Sequence, residues 1–263
     1  MNWLLCIASV LSVLTVVLYK ESSCLILTEI EGPSLVVIDD ENVDPIPLNC
    51  HFKVEQETHS LVVKWTKDNN VIFQYIKGHG TSVIPEYKNE IAALSSEPDD
   101  EQTGILLINP SIESSGIYRC HVQTDVQTRS MDKELHIIDI QNYTYTLLPQ
   151  RIQNETHLEC NIENVFPEPA LAIIQAFDGE SIPIVSTNST QFSNGKFSAS
   201  AIAVIRTDDE SAVEYQCITT FDGLSFNLTT NAESGSMSFR RPEWSYLLWT
   251  SLLALVTYEK LRF

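Results

Sequence analysis

The stretch SSGIYRC at positions 114–120 decides the fold, because it places Tyr118 two residues before Cys120 at the end of a turn. Cys50 lies far upstream, in an alternating apolar and polar run that is typical of a half-buried strand. Trp65 follows it, inside the strand-like run LVVKW at 61–65. This combination is what two facing sheets need when a disulfide joins them and a tryptophan packs across it. The sequence therefore predicts a β-sandwich in the N-terminal half.

Cysteine, tryptophan and Tyr-x-Cys in this order form the signature of the immunoglobulin-like sandwich, in which the tyrosine hydroxyl bonds back to the chain before the last strand pair. The long interval between Cys50 and Cys120 leaves room for an extra strand pair around VIFQYI at 71–76. We therefore expect residues 25–138 to form a variable-type domain.

A second sandwich is predicted over residues 139–231. Cys160 and Cys217 are closer together, Tyr215 repeats the Tyr-x-Cys pattern, and Phe166-Pro167 is typical of the turn after the first cysteine of constant-type domains. Counting along the chain puts the core tryptophan position near Ile174. We expect an aliphatic residue there, with Phe177 or Phe197 filling the volume. The predicted fold class is all-β, with two tandem immunoglobulin-like β-sandwiches, variable-type and then constant- or intermediate-type.

The N-terminus predicts a secretory signal peptide over residues 1–24. Residues 3–18 are apolar and uncharged, and Ser22, Ser23 and Cys24 supply small residues for cleavage. An uncleaved signal anchor is the alternative. Cleavage after Cys24 leaves four cysteines, an even set for an oxidising compartment, and their flanking residues pair Cys50 with Cys120 and Cys160 with Cys217.

The charge of the chain limits its partners. The sequence has 35 acidic against 16 basic residues, a formal net charge of −19. Phosphate binding needs a basic face, so nucleic acid is not an expected partner. The charge is typical of a soluble extracellular surface, and the alternative is electrostatic steering towards a basic partner.

Glycosylation signals mark only the second predicted domain. The four Asn-x-Thr sequons begin at Asn142, Asn154, Asn188 and Asn227. The first domain has no sequon, and this asymmetry favours it as the place where a partner docks.

The C-terminus predicts membrane attachment. The small residues SGS at 234–236 lie in a spacer over 232–244, and a mainly apolar tail follows at 245–263. This layout is typical of a glycosylphosphatidylinositol (GPI) signal with Ser234 as the attachment site. A short transmembrane helix is the first alternative, although the apolar part of the tail is shorter than the ~20 residues that a span needs. An unanchored, secreted product is the second.

No pattern predicts catalysis, a cofactor or a metal. The histidines show no paired ligand spacing, and the sequence has no glycine-rich phosphate loop, nucleophile elbow or HExxH helix. The acidic cluster EPDDE at 97–101 lacks the alternating ligands of a calcium loop, so we interpret it as a solvated loop.

The first domain resembles the Beaten path family of arthropod neuronal immunoglobulin proteins in three stretches. These are LVVKWTKD at 61–68 with VIFQYI at 71–76, GIYRC at 116–120, and QTD at 123–125. The resemblance implies a two-domain secreted or anchored receptor that binds an immunoglobulin-superfamily protein through its first domain, in axon guidance or adhesion. The variable-plus-constant arrangement is also similar to nectin-like and B7-like surface proteins.

The alternation of side chains along strands predicts the binding face. If Trp65, Tyr118 and Cys120 point inward, their neighbours point outward on one sheet. The predicted partner-binding residues are Lys64, Thr66, Gln74, Tyr75, Arg119, His121 and Gln123. We expect a recognition or adhesion receptor at the cell surface, with self-association into a homodimer as a further option. A secreted humoral or decoy binder, or a B7- or nectin-like immune-type receptor, is the alternative.

Overall fold

A computed structural model of the chain describes residues 25–40, 43–54, 58–95, 102–206 and 214–232. The predicted signal peptide, Ser234, the tail at 245–263 and the acidic cluster at 97–101 lie outside the described residues. The chain divides into two compact units that separate after His136, and Leu35 to Asp40 cluster with the second unit. The predicted first domain had included that segment.

The N-terminal half forms two sheets. Its strands are β1 (Leu25–Glu31), β2 (Leu35–Ile38), β3 (Ile46–Val54), β4 (Leu61–Lys67), β5 (Asn70–Ile76), β6 (Gly80–Val83), β7 (Ile91–Ala93), β8 (Gln102–Leu107), β9 (Gly116–Thr124) and β10 (Thr128–Asp139). One sheet has the order β1-β3-β8-β7 and the other β2-β10-β9-β4-β5-β6. Both sheets are antiparallel, except that β2 runs parallel to β10. The pair β5 and β6 extends the second sheet as in variable-type domains, and we call this structure the first sandwich.

The two sheets of the first sandwich are joined at the predicted residues. A disulfide links Cys50 of β3 to Cys120 of β9. Trp65 lies directly opposite Cys120 in the β4–β9 ladder and is fully buried. Its indole Nε1 donates a hydrogen bond to the Thr103 carbonyl at 3.2 Å, so the polar atom of this core side chain is satisfied.

The tyrosine corner that the sequence predicts is present. The Tyr118 hydroxyl donates to the Ser114 carbonyl at 2.9 Å, and burial, with the nearby charges of Asp68 and Glu90, holds the pKa of Tyr118 well above its usual range. Ser114 also closes the capping box of a short 3₁₀ helix, since its hydroxyl accepts a hydrogen bond from the Ser111 backbone amide at 3.1 Å.

The turn between β4 and β5 is tied to the start of β9. Asp68 and Asn69 both have positive φ, 49° and 71°, as a two-residue type I′ hairpin turn requires. The Asp68 carboxylate accepts a hydrogen bond from the Ile117 amide at 2.9 Å. Gly116 has φ 150°, and a Cβ there would lie 2.6 Å from Asp68 Oδ2. The Asp68 side chain therefore links the β4–β5 turn to the start of β9.

The second sandwich also consists of two antiparallel sheets. Its strands are β11 (Thr144–Ile152), β12 (Glu155–Val165), β13 (Pro169–Gln175), β14 (Ser181–Ile182), β15 (Ile184–Gln191), β16 (Phe197–Arg206), β17 (Tyr215–Phe221) and β18 (Asn227–Asn231). The sheet orders are β11-β12-β16-β15 and β14-β13-β17-β18. A disulfide joins Cys160 of β12 to Cys217 of β17. The arrangement is that of a constant-type sandwich with a short additional strand, β14.

The core of the second sandwich differs from the prediction by one residue. Ile173, which is fully buried, lies opposite Cys217, whereas Ile174 is half-buried. Counting from Cys160 missed the position because the pairing of β13 with β17 determines which residue lies opposite Cys217. The distance along the chain from Cys160 does not determine it. Phe177 is 97% exposed and fills no core volume, so that expectation was wrong.

Other aromatic residues supply the volume of this core. Tyr145, Phe221 and Phe226 belong to the buried cluster, with the two phenylalanine rings 5.9 Å apart. The Tyr145 hydroxyl donates to the Cys217 carbonyl at 2.7 Å. Phe197, the other candidate, is half-buried. The predicted aliphatic replacement for tryptophan is therefore combined with aromatic residues from β11 and from the end of β17.

Gly116→Ala is expected to destabilise the first sandwich by about 3 kcal/mol, because it adds backbone strain and forces Asp68 away from the Ile117 amide. Gly80→Ala is the matched control. Gly80 also has positive φ, 86°, but a Cβ added there would meet no atom within 4 Å, so we expect a loss of about 1 kcal/mol. Urea unfolding followed by tryptophan fluorescence measures both, and equal losses would contradict the role of Asp68.

Candidate protein-binding face

The register of the six-stranded sheet defines one solvent-facing surface on the first sandwich. In the ladders, Lys64 lies opposite His121 and Thr66 opposite Arg119, while Gln74 lies opposite Lys64. Directly opposed residues of antiparallel strands share a face. The outer face, as we use the term, comprises Val62, Lys64, Thr66, Val71, Gln74, Ile117, Arg119, His121, Gln123, Thr128, Ser130, Asp132 and Glu134.

Most of the predicted partner-binding residues lie on the outer face. Lys64, Gln74, Arg119 and His121 are half-buried and Gln123 is exposed. Thr66 faces the same side but is only 7% exposed. A register shift lies between Trp65 and Thr66, where β5 contributes an extra residue to the ladder. Their role in binding stays a prediction.

Tyr75 was assigned wrongly. It lies opposite Val63, which is fully buried, and Tyr75 itself is 7% exposed. It therefore belongs to the inner side of β5, with Phe73 two residues before it. Gln74, its neighbour in the chain, is the β5 residue that reaches the outer face beside Lys64.

The outer face contains an open depression of about 260 Å³. It is lined by Val62, Lys64, Thr66, Val71, His121, Gln123 and Thr128. The lining combines two valines with polar residues from β4, β9 and β10. Val62, Val71 and Thr128 were not predicted as site residues. Val62 is two residues from Lys64 on the same strand, so the alternation rule could have found it.

An ion pair crosses the outer face from β9 to β10. Arg119 binds Asp132 through two hydrogen bonds, Nε to Oδ1 at 2.5 Å and Nη2 to Oδ2 at 2.7 Å. The hydrogen bond to Arg119 lowers the pKa of Asp132, and the same pair raises the pKa of Arg119. Asp132 could not be predicted without the β9–β10 register. The Asp132 carboxylate therefore compensates the charge of Arg119, which the sequence alone predicted to be available to a partner.

Lys64 differs from Arg119 in its surroundings. Among the residues that the structure describes, no carboxylate lies within 4.0 Å of its ammonium group. Glu134, the other acidic residue of the outer face, lies 3.6 Å from the His136 imidazole. The depression is therefore bordered by a permanent positive charge that the neighbouring side chains leave uncompensated.

The His121 imidazole sits between these charges. Burial lowers its pKa, and the Arg119 and Lys64 cations lower it further, while Asp132 acts in the opposite direction. The side chain is therefore neutral near pH 7. In the described part of the chain it makes no side-chain hydrogen bond, so both ring nitrogens are available.

Two further features, a metal centre and a membrane-spanning helix, have no candidate in the described ranges. In these residues, no group of three His, Cys, Asp or Glu side chains converges closely enough to hold a metal ion. Nor does the described chain contain a helix with the length and apolarity to span a bilayer. All four sequon asparagines, Asn142, Asn154, Asn188 and Asn227, are exposed.

Replacing Lys64 with methionine is expected to raise the pKa of His121, because the ammonium disfavours the charged imidazole. Asp132→Asn is expected to lower it, since that carboxylate favours the charged form. An NMR pH titration of the imidazole carbon-bound protons measures both directions. Lys53→Met, on an exposed residue of the other sheet, is the matched control and is expected to leave the titration unchanged. An unchanged titration in Lys64→Met would show that the two side chains do not share this face.

Comparison with known proteins finds similarity to butyrophilins in both sequence and structure. No family model matches the sequence. Human butyrophilin subfamily 2 member A2 is 25% identical over 166 residues, which cover 60% of this chain and 31% of the human protein. The chain thus spans about a third of that relative. The crystal structure of bovine butyrophilin superposes with a TM-score of 0.62 at 16% identity, covering 80% of this chain and 98% of that chain, which shows a common fold. The two disulfide-linked sandwiches thus have the immunoglobulin-like fold, and part of the chain is similar in sequence to a butyrophilin.

Proposed function

We propose that this protein is a cell-surface recognition receptor that binds another protein through the outer face of the first sandwich. The observation that carries the proposal is the charge pattern. Residues 25–138 contain 19 acidic and 8 basic residues, yet the outer face has two of each: Lys64, Arg119, Asp132 and Glu134. A face without net charge repels an acidic or neutral protein partner less than the acidic surface around it does.

The exposed apolar groups of the outer face support the same use. Ile117 is 46% exposed and Val71 is 39% exposed, and the depression lies beside Val71. Apolar side chains around a concavity allow a partner to bury a central anchor residue, where most binding free energy is concentrated. The polar side chains around them provide hydrogen bonds at the rim.

The sequons support the first sandwich as the docking module. All four asparagines are exposed and lie in the second sandwich. Glycans attached there would cover its surface with bulky, hydrated sugar. The outer face of the first sandwich would remain free of such cover.

Two biological settings follow from two resemblances. The likeness to butyrophilins supports an immune-type receptor or ligand of the immunoglobulin superfamily. The Beaten path resemblance of residues 61–76 and 116–125 supports a role in axon guidance or adhesion. The Beaten path resemblance implies that the partner is another immunoglobulin-superfamily protein. A net charge of −19 on each copy opposes self-association, so we favour a different protein over a homodimer.

Attachment by a GPI anchor at Ser234 completes the proposal. Treatment of expressing cells with a phosphatidylinositol-specific phospholipase is expected to release the protein into the medium, because the enzyme cleaves the lipid of the proposed anchor. Flow cytometry of intact cells measures the loss. Retention on the treated cells would favour a short C-terminal helix, and presence in the medium before treatment would favour a secreted humoral or decoy binder.

Arg119→Glu is expected to weaken binding of a partner, found by screening cell-surface ectodomains, by about tenfold or more. The change reverses one charge in the middle of the outer face and leaves Asp132 without its cation. The secreted yield is expected to stay unchanged and the thermal unfolding midpoint to fall only slightly, because the substitution places two partly exposed carboxylates opposite each other.

Lys53→Glu is the matched control for this charge reversal. Lys53 is exposed on β3, in the four-stranded sheet on the other side of the first sandwich. Surface plasmon resonance on both variants separates a local effect from a change of net charge. Equal affinities for Arg119→Glu and the wild type would contradict the proposed face.

A further inference from the structure

The depression offers polar groups that its own neighbourhood leaves unused. Within the described chain, Lys64, His121 and Gln123 make no side-chain hydrogen bond or ion pair, although all three line the same concavity. Val62 and Val71 provide an apolar wall beside them. An apolar recess with a few convergent donors is the usual composition of a binding pocket.

The size of the depression limits its occupant. About 260 Å³ is less than the ~300–1,000 Å³ of typical small-molecule sites, and the concavity is open to solvent. A single side chain presented by another protein fits this volume better than a cofactor. The occupant is then part of a larger interface that covers the surrounding face.

The charges around the depression determine the sign of the occupant. Arg119 is neutralised by the two hydrogen bonds to Asp132, whereas Lys64 has no carboxylate within 4.0 Å among the described residues. An anionic group placed in the depression would gain an ion pair without breaking an existing one. A cationic group would meet Lys64 without compensation.

His121 makes the same site sensitive to pH. The charged groups that face it are Lys64 from β4, Asp132 from β10 and Arg119 from its own strand, and the β10 residue directly opposite, Ser130, is neutral. With the two cations nearby, the free protein keeps the imidazole neutral at physiological pH. A carboxylate entering the depression would favour the imidazolium and so bring a proton with it.

We propose that the depression receives an acidic side chain of the partner protein, flanked by an apolar group, and that binding strengthens as the pH falls because His121 becomes protonated in the complex. This inference rests on the proposed function and names the chemistry of its partner. The sign follows from linkage: the complex binds more protons than the free protein, so affinity rises as the pH drops and levels off once free His121 is also charged.

The test uses the full-length protein and 3-phenylpropionate, which combines an apolar ring with a carboxylate. 3-Phenylpropionamide is the matched neutral probe. NMR titration of the His121 imidazole signal is expected to show saturable binding of the carboxylate, at least about threefold tighter at pH 6 than at pH 8. The amide is expected to bind more weakly and without this pH dependence.

Variants assign the effect to single side chains. Lys64→Met is expected to remove the preference for the carboxylate over the amide, and Lys53→Met, on the other sheet, to leave it unchanged. His121→Gln, followed through the Ile117 methyl signals, is expected to bind the carboxylate equally at both pH values. Equal binding of the two probes to the wild type, weaker binding at lower pH, or no binding would each overturn the inference.

The probe experiment and the partner-binding experiment can fail independently of each other. If the probes behave alike while a protein partner still depends on Arg119, the outer face binds a partner of other chemistry and only this inference fails. If the probes behave as expected while partner binding ignores Arg119→Glu, the depression recognises carboxylates but the proposed interface is wrong.

Discussion

The register between Trp65 and Cys120 is the constraint on which the first sandwich depends. The disulfide to Cys50 fixes Cys120 between the sheets, and Trp65, directly opposite, fills the space beside it. Because side chains alternate along each strand, burying these residues turns Lys64 and His121 outward together. A slip of one residue would exchange the core and the outer face. The same packing that stabilises the fold therefore creates the surface that we propose for binding.

In the second sandwich the strand opposite the disulfide has the same pairing as in the first sandwich, but a different residue occupies the core position. Ile173 occupies the place opposite Cys217 that Trp65 occupies opposite Cys120. A smaller side chain there is compatible with a packed core because Tyr145, Phe221 and Phe226 contribute aromatic volume from other elements. The second sandwich is harder to identify from its sequence because the strand pairing beside the disulfide is the same, but the tryptophan that usually marks this position is absent.

Features that depend on local spacing could be predicted from the sequence, whereas features that depend on the pairing between strands could not. The all-β fold, both disulfides and the Tyr118 corner follow from residues whose roles are fixed by local spacing, and they are confirmed. The outward direction of Lys64 and His121 follows by alternation from anchored neighbours. In contrast, Tyr75 was assigned to the wrong face because its parity depends on the pairing between strands, which the sequence does not display.

The site was predictable in part for the same reason. Counting from Trp65 and Cys120 found five of the outer-face residues on β4 and β9, but it did not single out Val62 and Ile117 on the same strands. Asp132 was missed, since only the β9–β10 register brings it beside Arg119. Its presence changes the chemistry of the face: Arg119 is already paired, and Lys64 becomes the cation that is open to a partner. The depression lies beside the register shift between β4 and β5, and it has no signature in the sequence.

In the proposed complex, the outer face of the first sandwich becomes buried when a partner binds. Hydroxyl-radical footprinting of the protein, alone and with a partner, measures this directly because it labels exposed aliphatic and imidazole side chains. We expect reduced labelling of Ile117 and His121 in the complex, with no change at Ile26, which is 41% exposed on the other sheet. Protection of Ile26 with unchanged labelling of Ile117 and His121 would contradict it.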